Sequence, residues 1–124
     1  MPNDTHITPP QGQGRGTLKV LNGNPSDAAV KLVDRTSGQT LRFVYVRANQ
    51  QVTMRGIPPC TCILKYSTGS NWNQNDRRFT QNTAFYQFQP LLYFREQRPM
   101  IYTATLYRRP DGNARTSAIS ERNF

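Results

Sequence analysis

Acidic side chains, histidine and cysteine are all scarce in this chain, and each scarcity removes a class of chemistry. There is one histidine, His6, and it lies in a stretch rich in proline and glycine. A Ser-His or Cys-His nucleophile would need that ring held in place by something else. The seven acids are scattered through predicted turns, and no two are spaced as a glycosidase pair. Gly12-Gln13-Gly14-Arg15-Gly16 precedes a strand instead of following one, so it does not read as a phosphate loop. No catalytic residue and no cofactor is assigned.

The two cysteines are Cys60 and Cys62. Two residues on one face of an extended strand sit roughly 6.5–7 Å apart, at or beyond the reach of a disulfide. The expectation is therefore a buried thiol at Cys62 and a turn residue at Cys60, with intermolecular cross-links as the alternative. A structural zinc site wants four ligands, and this pair plus His6 falls short, so no metal is expected. No run approaches the ~18 apolar residues of a membrane span. Met1 to Gly16 lacks the apolar centre of a signal peptide, although a processed leader would leave export to the cell surface open. No amphipathic helix of useful length and no internal repeat is visible.

What is present is positive charge. Sixteen Lys and Arg against seven Asp and Glu give a formal charge of +9, and thirteen of the sixteen are arginine. Arginine offers a planar fork for carboxylates, phosphates and aromatic faces, which lysine does not. The skew suits a polyanion partner, nucleic acid or acidic glycan, or equally a subunit whose arginines pair across interfaces. At 124 residues the chain fits one domain, and 35% hydrophobic residues with a mean hydropathy of -0.73 make a lean core. Part of the chain, at both ends, is expected to lie outside it.

Taken in order, residues 1–16 read as an extended N-terminal arm, with Pro2, Pro9, Pro10 and three glycines. Such a segment cannot order itself. It needs a neighbouring subunit or an extended path along the domain. Residues 17–109 alternate as strands. Thr17 to Leu21 and Ala28 to Asp34 flank an Asn22-Gly23-Asn24-Pro25 turn, and Thr40 to Arg47 is apolar on both faces, which suggests a central strand. Val52 and Met54 lead to Gly56-Ile57-Pro58-Pro59, where two prolines exclude helix and central ladder alike, so the segment must turn. Ile57 should plug one end of the core. Cys62, Leu64 and Tyr66 then share a strand face, Thr68 to Arg78 reads as a long polar loop, Phe79 to Phe94 is aromatic-rich and broken by Pro90, and Ile101 to Tyr107 is a strand. Residues 108–113 read as a turn, and 110–124 as a C-terminal arm or edge strand.

About seven short strands with turn signals near every tenth residue predict an all-β fold, a single antiparallel β-sandwich with extended arms. The succession Asp27-Ala28-Ala29-Val30-Lys31-Leu32-Val33, Tyr45-Val46-Arg47-Ala48, Val52-Thr53, Gly56-Ile57-Pro58-Pro59 and Leu64-Lys65-Tyr66-Ser67-Thr68-Gly69 resembles bacterial domains of the carboxypeptidase-regulatory or prealbumin-like type over roughly residues 17–107. Cys60 stands where that pattern has glycine after the prolines. The resemblance implies a sandwich used as a structural or binding module, attached to other domains or to cell-surface proteins, and it implies no catalytic residues.

Three functions fit these features. The first is a structural module that self-associates, through its arms and sheet edges, with other copies of itself into an oligomer or filament. The second is a basic nucleic-acid-binding module using Arg77, Arg78, Arg108, Arg109 and Arg115. The third is a carbohydrate-binding module built on Trp72 with Asn71, Asn73 and Tyr86. Trp72 either caps the sandwich end or stacks on a ligand, since an indole buries upwards of ~150 Å² and rarely stays wet. The first is the leading expectation.

Overall fold

Alternating apolar residues become strands along most of the chain, and the computed structural model describes residues 1–95, 98–106 and 116–124. The strands are β1 (Thr5–His6), β2 (Gly16–Asn22), β3 (Asp27–Asp34), β4 (Thr40–Val46), β5 (Gln51–Ile57), β6 (Cys60–Asn73), β7 (Arg78–Phe88), β8 (Leu92–Phe94), β9 (Ile101–Leu106) and β10 (Thr116–Ala118). A 3-10 turn covers Glu121–Asn123. The larger sheet runs β1-β4-β3-β6-β7-β10, with β8 also paired to the start of β6, and the smaller runs β5-β2-β9. They pack as the predicted all-β sandwich. One pairing departs from the antiparallel expectation: β2 and β9 are parallel.

The inter-sheet core follows the period of two. Val30, Leu32, Val44, Leu64 and Tyr66 of the large sheet face Leu18, Val20 and Met54 of the small one. Ile57 is fully buried among them, and the Pro58-Pro59 corner beyond it hands the chain from β5 in one sheet to β6 in the other. At the sandwich end, the Asn22-Gly23-Asn24-Pro25 turn is a buried polar plug. The Asn22 amide donates to the Ser26 and Val46 carbonyls at 3.0 and 3.2 Å, and the Asn24 amide donates to Leu106 O at 3.2 Å. These bonds tie β2, β4 and β9 together where the sheets would otherwise splay.

Three expectations change, and a fourth narrows to one of its two alternatives. Cys60 and Cys62 are disulfide-bonded, their Cα atoms 5.5 Å apart at the start of β6, inside the bonding range that a fully extended strand exceeds. Thr68 to Arg78 is not a long loop: β6 continues to Asn73 and β7 starts at Arg78, so only four residues turn. Polar residues suit this hairpin because it meets its hydrogen bonds by cross-strand pairing, with Trp72 opposite Phe79. β4 is not central, since its outer neighbour is the two-residue β1. Its second apolar face is explained by a second cluster on the outside of the large sheet, made of Ile7, Ala29, Phe43, Tyr45 and Phe79, with Trp72 and Phe124 packed against it. Finally, the N-terminal arm lies along its own domain. Tyr107 and the predicted turn at 108–113 fall outside the described residues.

Candidate functional site

The arm is ordered by ladder bonds and one anchor. Asp4 N donates to Tyr45 O at 2.9 Å, Ile7 N to Phe43 O at 2.7 Å, Gln11 N to Leu41 O at 3.0 Å and Gly14 N to Gly56 O at 3.0 Å. Ile7 is buried in the outer aromatic cluster, which supplies the apolar contact that the rest of the arm lacks.

Arg42 completes the attachment. Its guanidinium donates through Nη1 to Gln11 O at 2.5 Å and Leu41 O at 2.7 Å, and through Nη2 to Gly12 O at 3.2 Å and Gly56 O at 2.9 Å. The residue is 4% exposed, and burial draws its pKa below the usual arginine value. Gly56 has φ of 66°, a left-handed backbone that glycine adopts without strain, and its carbonyl accepts from both Arg42 and Gly14. Nothing in the sequence pattern marks Arg42, because all its acceptors are backbone oxygens.

Between arm and β5 lies a groove of about 650 Å³ whose walls include Asp4, His6, Arg42, Thr53 and Arg55. Arg42 commits both of its Nη groups to carbonyls, so the charge open to a ligand is that of Arg55 and Asp4. Among the described residues no three His, Cys, Asp or Glu side chains come together to hold a metal.

The residues proposed for sugar binding are not assembled into one site. The Trp72 ring meets Phe79, Tyr45 and Phe43 edge-on at centroid distances of 4.9, 5.6 and 6.3 Å, and its Nε1 donates to Gln74 Oε1 at 2.9 Å. It is part of the outer cluster, not a cap on the sandwich end. Asn73 Oδ1 accepts from Asp76 N at 3.2 Å within the hairpin turn, and Asn71 is exposed with φ of 54°. Tyr86 stacks on Tyr66 at 5.1 Å, on the inter-sheet side. It lies seven residues along β7 from Trp72's partner Phe79, or roughly 23 Å at ~3.3 Å per residue.

Of the proposed basic residues, Arg77 and Arg78 are exposed neighbours at the β6–β7 turn, and Arg78 Nη1 pairs with Glu121 Oε1 at 3.5 Å. Arg108, Arg109 and Arg115 lie outside the described residues. The C-terminal segment reaches the same outer face as the arm. Phe124 packs on Phe43 and Phe85 at 6.0 and 5.3 Å, and Lys31 Nζ sits 4.2 Å over the Phe124 ring while donating to its backbone oxygen at 2.9 Å. Burial, then the charge of Lys65, lowers the Lys31 pKa. Burial chiefly, then a hydrogen bond to Asp27 at 2.5 Å, raises that of Tyr45, so its phenol stays neutral and donates to the carboxylate.

Comparison of the chain with protein-family models, with curated proteins and with solved structures gives no match.

Proposed function

We propose that this chain is a non-catalytic association module, a sandwich of the carboxypeptidase-regulatory or prealbumin-like kind whose copies join through their terminal segments and sheet edges. One observation carries the reading. Both chain ends lie as separate pieces over an aromatic face that the large sheet does not cover itself, Ile7 from one side and Phe124 from the other. Every contact the arm makes, to β4, β5, Gln74 and the aromatic cluster, is one that a neighbour's arm makes equally well. Exchange between copies then keeps the contacts and changes only the entropy of association.

The test is particle mass by light scattering. The intact chain should contain more than one copy per particle, and removal of residues 1–11 should lower the number of copies. Ile7→Asp in the full-length chain should do the same without shortening it. Single chains from the intact protein at every accessible concentration would overturn the reading.

A second reading, binding of a polyanion, is favoured by one specific observation. Among the described residues the sole ion pair is Arg78 with Glu121, which leaves Arg15, Arg35, Arg47, Arg55 and Arg77 exposed without a carboxylate partner. Affinity for single-stranded DNA should then fall linearly with salt on logarithmic axes, and Arg77→Gln should reduce the slope by about 0.7, the amount that one phosphate on a single strand contributes. Binding insensitive to salt excludes this reading.

A further inference from the structure

We infer that β9 is a pairing edge for a second copy of this chain, two copies joining antiparallel about a two-fold axis at Thr103. The inference rests on the association reading above and names its strand and symmetry.

Among the described residues, β9 pairs with β2 and with no other strand. Thr17 N donates to Met100 O at 2.9 Å and Gly23 N to Leu106 O at 3.1 Å, which fixes the phase of the parallel ladder. Tyr102 and Ala104 therefore turn their backbone groups toward β2. Ile101, Thr103 and Thr105 turn theirs outward. The strand reads Ile-Tyr-Thr-Ala-Thr-Leu, with no charge, proline or glycine to discourage pairing.

The other edges are tied down, short or charged: beyond the three residues that β10 covers, β7 begins at Arg78. β5 carries Arg55 and is tied down at both ends, by Asn3 Nδ2 on Gln51 O at 3.1 Å and by Gly14 N on Gly56 O at 3.0 Å. β1 and β10 have two and three residues. The start of β9 also exposes an apolar side chain, Ile101 at 66%.

The occupant is a second copy because the edge is complementary to itself and uncharged in a chain of formal charge +9. A two-fold axis at Thr103 sets that residue opposite its equivalent and places Ile101 against Thr105 of the second copy. Lys19, in register with Thr103 one strand inward, is the cation that the described strands of the small sheet set beside this residue. The two Lys19 residues would lie three strand spacings apart, roughly 14 Å, beyond the ~8 Å over which salt leaves charges unscreened. The smaller sheet would become a continuous six-stranded sheet.

Two variants of the full chain test the edge by sedimentation and cross-linking. In Thr103→Pro the lost N–H is one that points outward, so the ladder to β2 survives while pairing is blocked. It should weaken association by at least about tenfold and leave the circular dichroism unchanged. In Thr103→Cys the opposed Cα atoms would lie about 5.5 Å apart, within disulfide range. Mild oxidation should then link two copies, whereas Thr80→Cys on the distant hairpin should not. Unaltered association of Thr103→Pro, with no cross-linking of Thr103→Cys above that control, overturns the β9 edge and leaves association through the arms standing. A native chain that sediments as a single copy overturns both. Should Thr103→Pro fail to fold, cross-linking of Thr103→Cys against Thr80→Cys decides.

Discussion

Replacement of Arg42 by methionine should cost about 3 kcal/mol of stability and release the N-terminal arm. Arg42 sits opposite Leu32 on the face of β4 that points between the sheets, where a charged side chain is costly unless its hydrogens are all bonded. Here four carbonyls, from Gln11, Leu41, Gly12 and Gly56, receive the four hydrogens of its two Nη groups. A hydrogen bond from a charged donor contributes roughly 1.5–3 kcal/mol net, so the sum of four exceeds the expected loss. Two effects hold the loss below that sum. Gln11 and Gly12 are exposed, so water replaces part of what they lose, and methionine recovers the burial of the aliphatic stem. Lysine should rescue poorly, because an ammonium cannot span carbonyls that a planar fork reaches from two nitrogens. Urea unfolding measures the cost, and amide exchange at Ile7 and Gly14 reports the arm. A loss under ~1 kcal/mol, with those amides still protected, would show that the ladder bonds alone hold the arm.

Arg42 also marks where the sequence stops being legible. Alternation in β3, β4 and β6 and the Ile57-Pro58-Pro59 corner can be read directly, since burial on one face and a fixed proline φ are local properties. The double apolar face of β4 is equally visible. Its cause is not, because the residues that cover Phe43 and Tyr45 come from opposite ends of the chain, Ile7 and Phe124. Polarity hides the β6–β7 hairpin, which is held by cross-strand pairing and by one buried ring, Phe79 opposite Trp72. An ideal strand spacing misleads at the cysteine pair, because β6 does not have that spacing where it leaves the prolines. Of the sugar-site candidates, Trp72 and Tyr86 are joined by sequence proximity alone, and the register shift after Thr68, with Asn71 left-handed at φ of 54°, puts them on opposite faces of one sheet. Assigning Arg78 to a polyanion surface misses Glu121, 43 residues away, which no local pattern can bring to it.

Truncation of Phe79 to alanine should cost about 4 kcal/mol, as much as a change in the inter-sheet core, and shift the Trp72 emission to the red. Phe79 is 1% exposed although it lies on the outer side of the sandwich. Its ring meets Trp72 at 4.9 Å and Tyr45 at 5.8 Å, and its Cβ would lie 2.7 Å from any Cβ placed at Gly69, so the site is packed from the adjoining strand as well. A Phe→Ala change in a core costs roughly 3–5 kcal/mol, the lower figure where neighbours can subside into the space. Ile7 and Phe124 belong to chain ends and can move inward, whereas Tyr45, tied to Asp27, and Gly69, within the β3–β6 ladder, cannot. Rigid and mobile neighbours balance, which places the expected cost in the middle of that range. Trp72 is the one tryptophan in the chain, so its fluorescence reports this cluster without interference. Phe85→Ala provides the comparison: Phe85 is half-buried and touches Phe124 at 5.3 Å, and its loss should cost about 1 kcal/mol with little change in emission. Equal costs for the two variants would mean that the outer aromatics merely line a surface. A difference of roughly fourfold would mean that the large sheet is apolar on both sides and depends on its own termini, or a neighbour's, to stay dry.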